Sequence, residues 1–457
     1  MECDVIVAGG GIAGLSCALR LMHNGISTVV LEAEEEAGGN VRSRIVDGFL
    51  LEWGPHTFMG SADDVFTLAE ETGMETELVS TRECASDRFI VRDHELHPVF
   101  TSAGSLLKSR LLSFRGKMAL ITEPFRSSRS DPDDSAQEFF NRRFGKEAAE
   151  MLAGAFISGV YAGDPAMLSA RAAFPLFWNF EQNSGSMIRG AIGHMRKKRT
   201  ELKEKGMSPR KGLFSFRYGL GHLTHTMARI IGDRCMTSAA VRSASRHNGI
   251  YRVLTEKGEY SAPNLVIAVP PREAGRLLRD IAAGISELVS TIPMAPVAVV
   301  YLGYESHLDE VPDGFGFLAP RNQGVRSLGV LFPSRLFDGR APGNGDLLTG
   351  FVGGMMDWDA LNLDDESVVS IVQDDLDRLL NLTTEPTFRM IRRHPHAIPQ
   401  FVQGHVERME KIRAGLASVD GLYLAGNYMH GVGMKDAVAS GFEAAEALSI
   451  KLGQKNG

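Results

Sequence analysis

Residues 4–8, Asp-Val-Ile-Val-Ala, are apolar and β-branched, and Gly9-Gly10-Gly11-Ile12-Ala13-Gly14 follows at once. Leu15, Leu19 and Leu21 then recur at helical spacing, so the pattern predicts a strand, a glycine turn and a helix. A second strand, Thr28-Val29-Val30-Leu31, ends at Glu32. Residues 264–269, before Pro270-Pro271, read as a further strand of the same sheet, with 234–241 approaching it. Strand, glycine loop and helix return over 421–441 and run on into 442–448. Residues from about 102 to 211 read as helical. The pattern is α/β, with one sheet drawn from separated stretches of chain.

Composition narrows the class. With 49 basic against 56 acidic residues the net charge is −7, which excludes a protein that coats nucleic acid. The chain is 44% hydrophobic and 23% charged, ordinary for a globular protein able to bury a core. Cys3, Cys17, Cys84 and Cys235 are scattered, with no C-x-x-C pair, which favours a reduced, cytoplasmic setting over a disulfide framework. The apolar run 5–21 follows Glu2 and Asp4, not a positive n-region, and glycines interrupt it, so it reads as strand and helix, not as a signal peptide. No other stretch of 18 apolar residues occurs, so no spanning helix is expected.

The chemistry begins at the glycines. Gly9 permits a tight turn, Gly11 leaves no Cβ in the way of a pyrophosphate, and Gly14 lets the helix lie close on the strand. Phosphates would meet the free amides and positive dipole end of that helix. Glu32, 18 residues past Gly14, stands where a carboxylate grips a ribose hydroxyl. Gly38-Gly39-Asn40-Val41-Arg42 then places a second glycine pair and a cation just after this acid. That arrangement resembles the extended fingerprint of glutathione-reductase-like flavoproteins and implies FAD rather than NAD. Gly38-Gly39 would admit the diphosphate from its second side, and Arg42 would supply charge to it. The run Glu34–Glu36 reads as a solvated loop. Near Gly433 a second helix N-terminus could aim its amides at the polar edge of an isoalloxazine ring.

Nearly end to end, the sequence resembles the oxygen-dependent protoporphyrinogen and coproporphyrinogen oxidases within the flavin amine oxidase group. The resemblance rests on Gly38-Gly39-x-x-Arg42-Ser43, Glu52-x-Gly54-Pro55-His56-Thr57-Phe58, Gly159-Val160-Tyr161-Ala162-Gly163-Asp164, Ala295-Pro296-Val297, Gly314-Phe315-Gly316-Phe317-Leu318, Ile398-Pro399-Gln400-Phe401 with Gly404-His405, and Gly431-Val432-Gly433. It implies a glutathione-reductase-like FAD-binding Rossmann domain (1–80, 212–272 and 412–457), a mixed-sheet substrate domain (81–101 and 273–411) and a helical membrane-associating domain (102–211). It also implies six-electron oxidation of a tetrapyrrole in three two-electron steps, each moving a hydride from the macrocycle to flavin N5, with oxygen as acceptor and hydrogen peroxide as by-product. No catalytic triad is expected, since the cofactor carries the chemistry and the protein positions it.

By the same resemblance, FAD contacts are expected from Gly9, Gly10, Gly11, Ile12, Ala13, Gly14, Glu32, Ala33, Gly39, Asn40, Arg42, Gly54, Pro55, His56, Thr57, Val241, Gly426, Val432, Gly433 and Met434. An apolar disc with propionates at one edge needs hydrophobic walls and a cation at the rim. Arg88 matches the propionate clamp and Phe315 and Leu318 the walls. Gly159, the catalytic-position expectation, matches a site whose backbone carbonyl faces the macrocycle. His56 replaces an Arg of some members at the substrate rim, so a second rim cation is expected to be either missing or dependent on pH. Lys435 and Ala437 depart from the familiar Asn and Cys of the terminal loop.

In the helical region, Lys108, Arg110, Arg115 and Lys117 interleave with apolar residues and suit docking on an anionic membrane surface, giving a cytoplasmic, peripheral protein. The basic run Arg196-Lys197-Lys198-Arg199 onward to Lys211 reads as a polar linker. His222/His225 and the loop-like His394-Pro395-His396 lack the Cys or carboxylate companions of a metal site and read as satisfied structural histidines. The rival readings are a flavin amine oxidase, for which Tyr423 and Tyr428 would make a thin aromatic cage, a carotenoid-desaturase-like enzyme, and a non-catalytic flavin-binding membrane scaffold. The sequence fixes no oligomeric state.

Overall fold

Five parallel strands form the expected sheet in the computed structural model, which describes residues 3–127, 129–204 and 208–455. Their order is Cys235–Met236, Thr28–Leu31, Val5–Ala8, Asn264–Ile267 and Leu422–Leu424. The strands are buried on both faces, as their unbroken apolar runs require. Val5 and Val7 face a layer made by the helices Ile12–His23, Gly221–Ile231 and Met434–Lys455. Ile6 and Ala8 face a three-stranded antiparallel sheet (Val241–His247, Ile250–Thr255, Gly258–Ala262) and the helices Pro271–Leu278, Ala283–Ser290 and His405–Ala417.

A seven-stranded mixed sheet stands beside this one. Its order is Phe388–Pro399, Met294–Tyr304, Asp346–Gly353, Gly329–Leu331, Gly316–Leu318, Phe89–Arg92 and Glu95–Pro98. Only the pair joining Phe317 to Phe89 and Leu318 to Ile90 is parallel. Pro296 has no N–H for the ladder, and the register against Phe388–Pro399 slips there, as proline in a strand demands. The helix Asp365–Leu380 covers one face through Val368, Val372 and Leu376.

The middle of the chain is helical. Two wide π-type turns, Ala149–Gly154 and Ile157–Tyr161, lie in it, and the second ends in left-handed Ala162 (φ +47°). Its anchor is a fully buried ion cluster. Glu123 accepts hydrogen bonds from Arg143, from the Ser186 hydroxyl and from the Met187 amide that opens the helix Met187–Glu204. Burial pushes the Glu123 carboxyl up, but these donors outweigh it and hold the group below its ordinary value. Arg196–Arg199 lie within Met187–Glu204, so the reading of a linker from Arg196 is corrected. The i,i+4 pair Lys197–Glu201 at 3.9 Å supports helix in that polar stretch. Residues 205–207 of the expected linker lie outside the described residues.

Candidate functional site

The first glycine loop is shaped by contact with the second. A Cβ on Gly14 would stand 2.0 Å from the Gly9 carbonyl oxygen, so only glycine lets the helix start that close to the strand. Gly39 has φ +59°, and a Cβ there would stand 3.1 Å from the Gly11 Cα. The Gly38 amide donates to the Gly10 carbonyl at 2.7 Å. At Gly11 a Cβ would meet only the Gly39 Cα, at 4.0 Å, so the uncapped start of the helix at Ile12 is left uncrowded on that side. Glu32, almost buried, accepts from the amides of Gly10 (2.7 Å) and Glu34 (2.9 Å), which aims its carboxylate at the mouth of the turn. The segment leading to Val241 lies alongside, with the Ala239 amide on the Glu32 carbonyl at 2.7 Å. Ala33 and the acids 34–36 are exposed, as expected of a solvated loop.

The C-terminal loop closes onto this cradle because the last helix packs on the first. A Cβ on Gly441 would stand 2.3 Å from the Ala13 carbonyl oxygen. Gly426 is held by the Ser440 hydroxyl at 2.8 Å, and the Gly433 amide by Asp436 at 3.0 Å. Val432–Met434 therefore stand at a helix N-terminus beside the Gly9–Gly14 turn. Lys435 is exposed and Ala437 buried.

Between the two loops runs Glu52–Thr57. Around Trp53, guanidinium groups of Arg42, Arg44 and Arg392 lie at 5.4, 5.6 and 4.1 Å from the ring. Among the described residues, five buried nitrogens in this region have no hydrogen-bond partner: Arg42 Nε, Trp53 Nε1, His56 Nε2, Arg392 Nε and His394 Nε2. Buried donors left unmet are costly, and here they gather where a group rich in phosphate and carbonyl oxygens would sit. The residues present fit a flavin dinucleotide. A Cβ on Gly54 would stand 2.4 Å from the Asn40 carbonyl oxygen, so Asn40 and the Gly54 turn are locked together.

His56 is not a rim cation. It is 9% exposed, packs edge-on against Phe351 at 5.9 Å, and burial, with the Arg340 charge, pushes its pKa down to about 3. Glu52 shows the opposite shift: burial raises it to about 7, although the Ser43 hydroxyl and the Leu220 amide (2.8 Å) donate to it. His394 and His396 lie in the strand Phe388–Pro399, not in a loop, and the His394 Nε2 is unsatisfied. The alternation of Arg392 and His394 on one face is the signal that was available, and Pro395 masked it. Trp53 and Arg392 were likewise missed, because neither belongs to a local motif.

The second half of the site is assembled by sheet register. The pairing of Phe317 with Phe89 puts the Phe315 amide on the Asp87 carbonyl at 2.8 Å, and Arg88 then lies over the Phe315 ring at 5.3 Å. Arg88 is exposed, and among the described residues no carboxylate pairs with it. Leu318, three residues on, meets Gly159, where a Cβ would stand 2.3 Å from Leu318 Cδ2. Gln400 steadies this turn by donating to the Tyr161 carbonyl at 2.8 Å. Ile157 and Ser158, just before Gly159, line a cavity of about 170 Å³ with Pro320 and Arg321. The structure thus brings Arg88 to Phe315 and Leu318 to Gly159 as two separate contacts along one stretch of chain, Phe315 and Leu318 packing in different apolar clusters, and His56 lies against Phe351.

The sequence description of the flavin-containing amine oxidoreductases matches residues 12–449. The chain belongs to this family. Among its relatives, protoporphyrinogen oxidase 1 of Spinacia oleracea is 34% identical over 97% of this chain and 83% of that protein. The coproporphyrinogen III oxidase of Bacillus subtilis (strain 168) is 28% identical over 96% of both chains. A solved structure from Exiguobacterium sp. 255-15, provisionally named a protoporphyrinogen oxidase, superposes with a TM-score of 0.83 at 25% identity, covering 98% of this chain and 99% of that one. As a member of the flavin-containing family, the chain has a use for the unmet donors around Trp53. Tyr423 packs on one face of the parallel sheet and Tyr428 on the other, so these two residues do not form a cage.

Proposed function

We propose that this chain is an FAD-dependent oxidase that converts a porphyrinogen, protoporphyrinogen IX or coproporphyrinogen III, to its porphyrin in haem biosynthesis. The observation that carries the reading is the exposed Arg88, with no carboxylate partner among the described residues, over the ring of Phe315 at the start of the strand that runs on to Leu318 against Gly159. That is a cation at the edge of an apolar slot, the complement of a disc with carboxylates on its rim. The relatives named for porphyrinogen oxidation support it.

Bound FAD supplies the hydride-accepting ring, and oxygen is the proposed final acceptor. Gly9–Gly14 and Gly39 bind the diphosphate, Glu32 the ribose, and Ala33 and the Val241 strand flank the adenine end. Arg42, Asn40, Gly54–Thr57, Gly426 and Val432–Met434 hold the flavin end. Neutral His56 keeps that pocket dry and uncharged. Arg88 anchors a propionate, Phe315 and Leu318 exclude water from the macrocycle, and Gly159 brings its backbone close to the face that loses hydride. The three-part division expected from the sequence, with residues 102–211 as a membrane-associating unit, belongs to this reading. Leu107, Phe114 and Phe125 are exposed beside Lys108, Arg110 and Arg115, a surface suited to anionic lipid, and no helix among the described residues is long and apolar enough to cross a membrane.

Anaerobic rapid mixing tests the reading. Coproporphyrinogen III or protoporphyrinogen IX should bleach the flavin band in a single turnover, and putrescine should not. Bleaching by the amine alone would overturn it in favour of an amine oxidase, and bleaching by neither would leave a flavin-binding scaffold.

A further inference from the structure

Phe401 and His405 take no part in either binding region described above. They line a cavity of about 330 Å³ between the helix Pro175–Ser184, the start of His405–Ala417 and the loop at Met429–His430. Its volume falls at the small end of ligand sites, which run from about 300 to 1,000 Å³. Trp178, Phe401 and Met409 are buried and give it a flat apolar wall.

The polar side of the cavity is cationic. Arg171 and His430 are matched by Glu407 (2.9 Å) and Glu443 (2.7 Å). Arg413 is not matched: it donates to the Met429 carbonyl at 3.2 Å, and among the described residues it has no carboxylate partner. His405 is 5% exposed, stacks on Phe401 with ring centres 4.3 Å apart, and leaves its Nδ1 buried without a hydrogen-bond partner. Burial, then the charges of Arg408 and Arg413, push its pKa down to about 4, so the ring is neutral and can donate a hydrogen bond without carrying charge. His405 also opens a 13-residue helix whose N-cap, Gly404, offers no side-chain cap, so the first amides add positive potential to the same corner.

We infer that this cavity binds a small amphipathic carboxylate, its flat apolar body against Trp178 and Phe401 and its anionic group between Arg413 and His405. An occupant would touch two segments that matter elsewhere. Met429 lies in the loop that continues to Val432–Met434, and Phe401 follows Gln400, which holds the Tyr161 carbonyl beside Gly159.

The test is isothermal titration of the FAD-loaded protein with 2-naphthoate. One molecule should bind per chain and saturate. Arg413→Gln and His405→Leu should each weaken binding by about tenfold or more, with the flavin absorbance unchanged. Arg413 is exposed, so its variant folds whatever becomes of His405→Leu. No saturation at millimolar 2-naphthoate, equal binding of uncharged 2-naphthol, or full affinity in the Arg413→Gln variant would each overturn the site. Displacement by coproporphyrin III would also overturn it, because it would place the probe in the porphyrin slot. None of these readouts is turnover, so failure here leaves the porphyrinogen reading standing.

Discussion

Two buried polar clusters in this protein are both rich in nitrogen donors and end in opposite states. Around Glu123, guanidinium, hydroxyl and amide donors converge on one carboxylate and close on it. Around Trp53, guanidinium, indole and imidazole groups gather, Arg42 and Arg44 each spend one nitrogen on Glu36, and five buried nitrogens have no partner among the described residues. The lesson is that burial of charge does not by itself mark a ligand site. The mark is burial with the donors left unspent.

If the closed cluster is purely structural, breaking it should have the largest effect on stability and none on chemistry. Glu123→Leu removes the carboxylate that Arg143 Nε and Nη2 donate to, leaving it the longer Glu181 contact at 3.6 Å, and should cost about 3–5 kcal/mol, read by denaturant unfolding, with FAD affinity of the folded fraction unchanged. If the open cluster is a cofactor cradle, crowding it should do the reverse. Gly39→Ala places a methyl against Gly11 at positive φ, and overpacking of this kind costs about 1–3 kcal/mol. Purified protein should lose most of its yellow colour, and its melting temperature in the absence of added FAD should fall below that of the stripped parent by no more than this strain accounts for.

Arg88→Ala separates the slot from both clusters. Loss of a charged hydrogen bond of about 1.5–3 kcal/mol should raise KM for the porphyrinogen by roughly ten- to a hundredfold, with the flavin still bound; unchanged kinetics would remove Arg88 from the site. Binding to anionic vesicles at low salt, released at high salt, would place Leu107 and Phe114 at a lipid surface, and salt-insensitive partition would not. The smallest effect concerns Glu52. Its folded value of about 7 against an ordinary 4.5 means that the folded state holds the proton more tightly. The stability this confers is complete below pH 4.5 and lost as pH rises through 7. Glu52→Gln should therefore flatten the stability profile over that window and gain on the parent above it.

The parallel sheet and both glycine loops were legible because their signals are local: apolar runs of four residues, glycines at fixed offsets, an acid at the end of the second strand. Arg88, Phe315 and Leu318 could be named from resemblance, but their meeting depends on the Phe317–Phe89 register, which no local pattern encodes. Trp53, Arg392 and His394 were hidden for the same reason, since strands 388–399 and 49–52 come together only through tertiary packing. The basic run at Arg196 was misread because its helix is sustained by ion pairing and by the Glu123 cap rather than by an apolar stripe. For His56 the sequence left a missing or a pH-dependent cation open, because exposure, which decides its charge, is not written in its neighbours; burial favours the former.

The contact of Gly441 with Ala13 has an outcome for biogenesis. A nascent chain emerges with its first nucleotide-binding turn complete and its closing wall still unmade. Everything up to Gly441 must be synthesised before the chromophore can be enclosed, so cofactor capture belongs to the end of translation and a stalled polypeptide should leave the ribosome without colour.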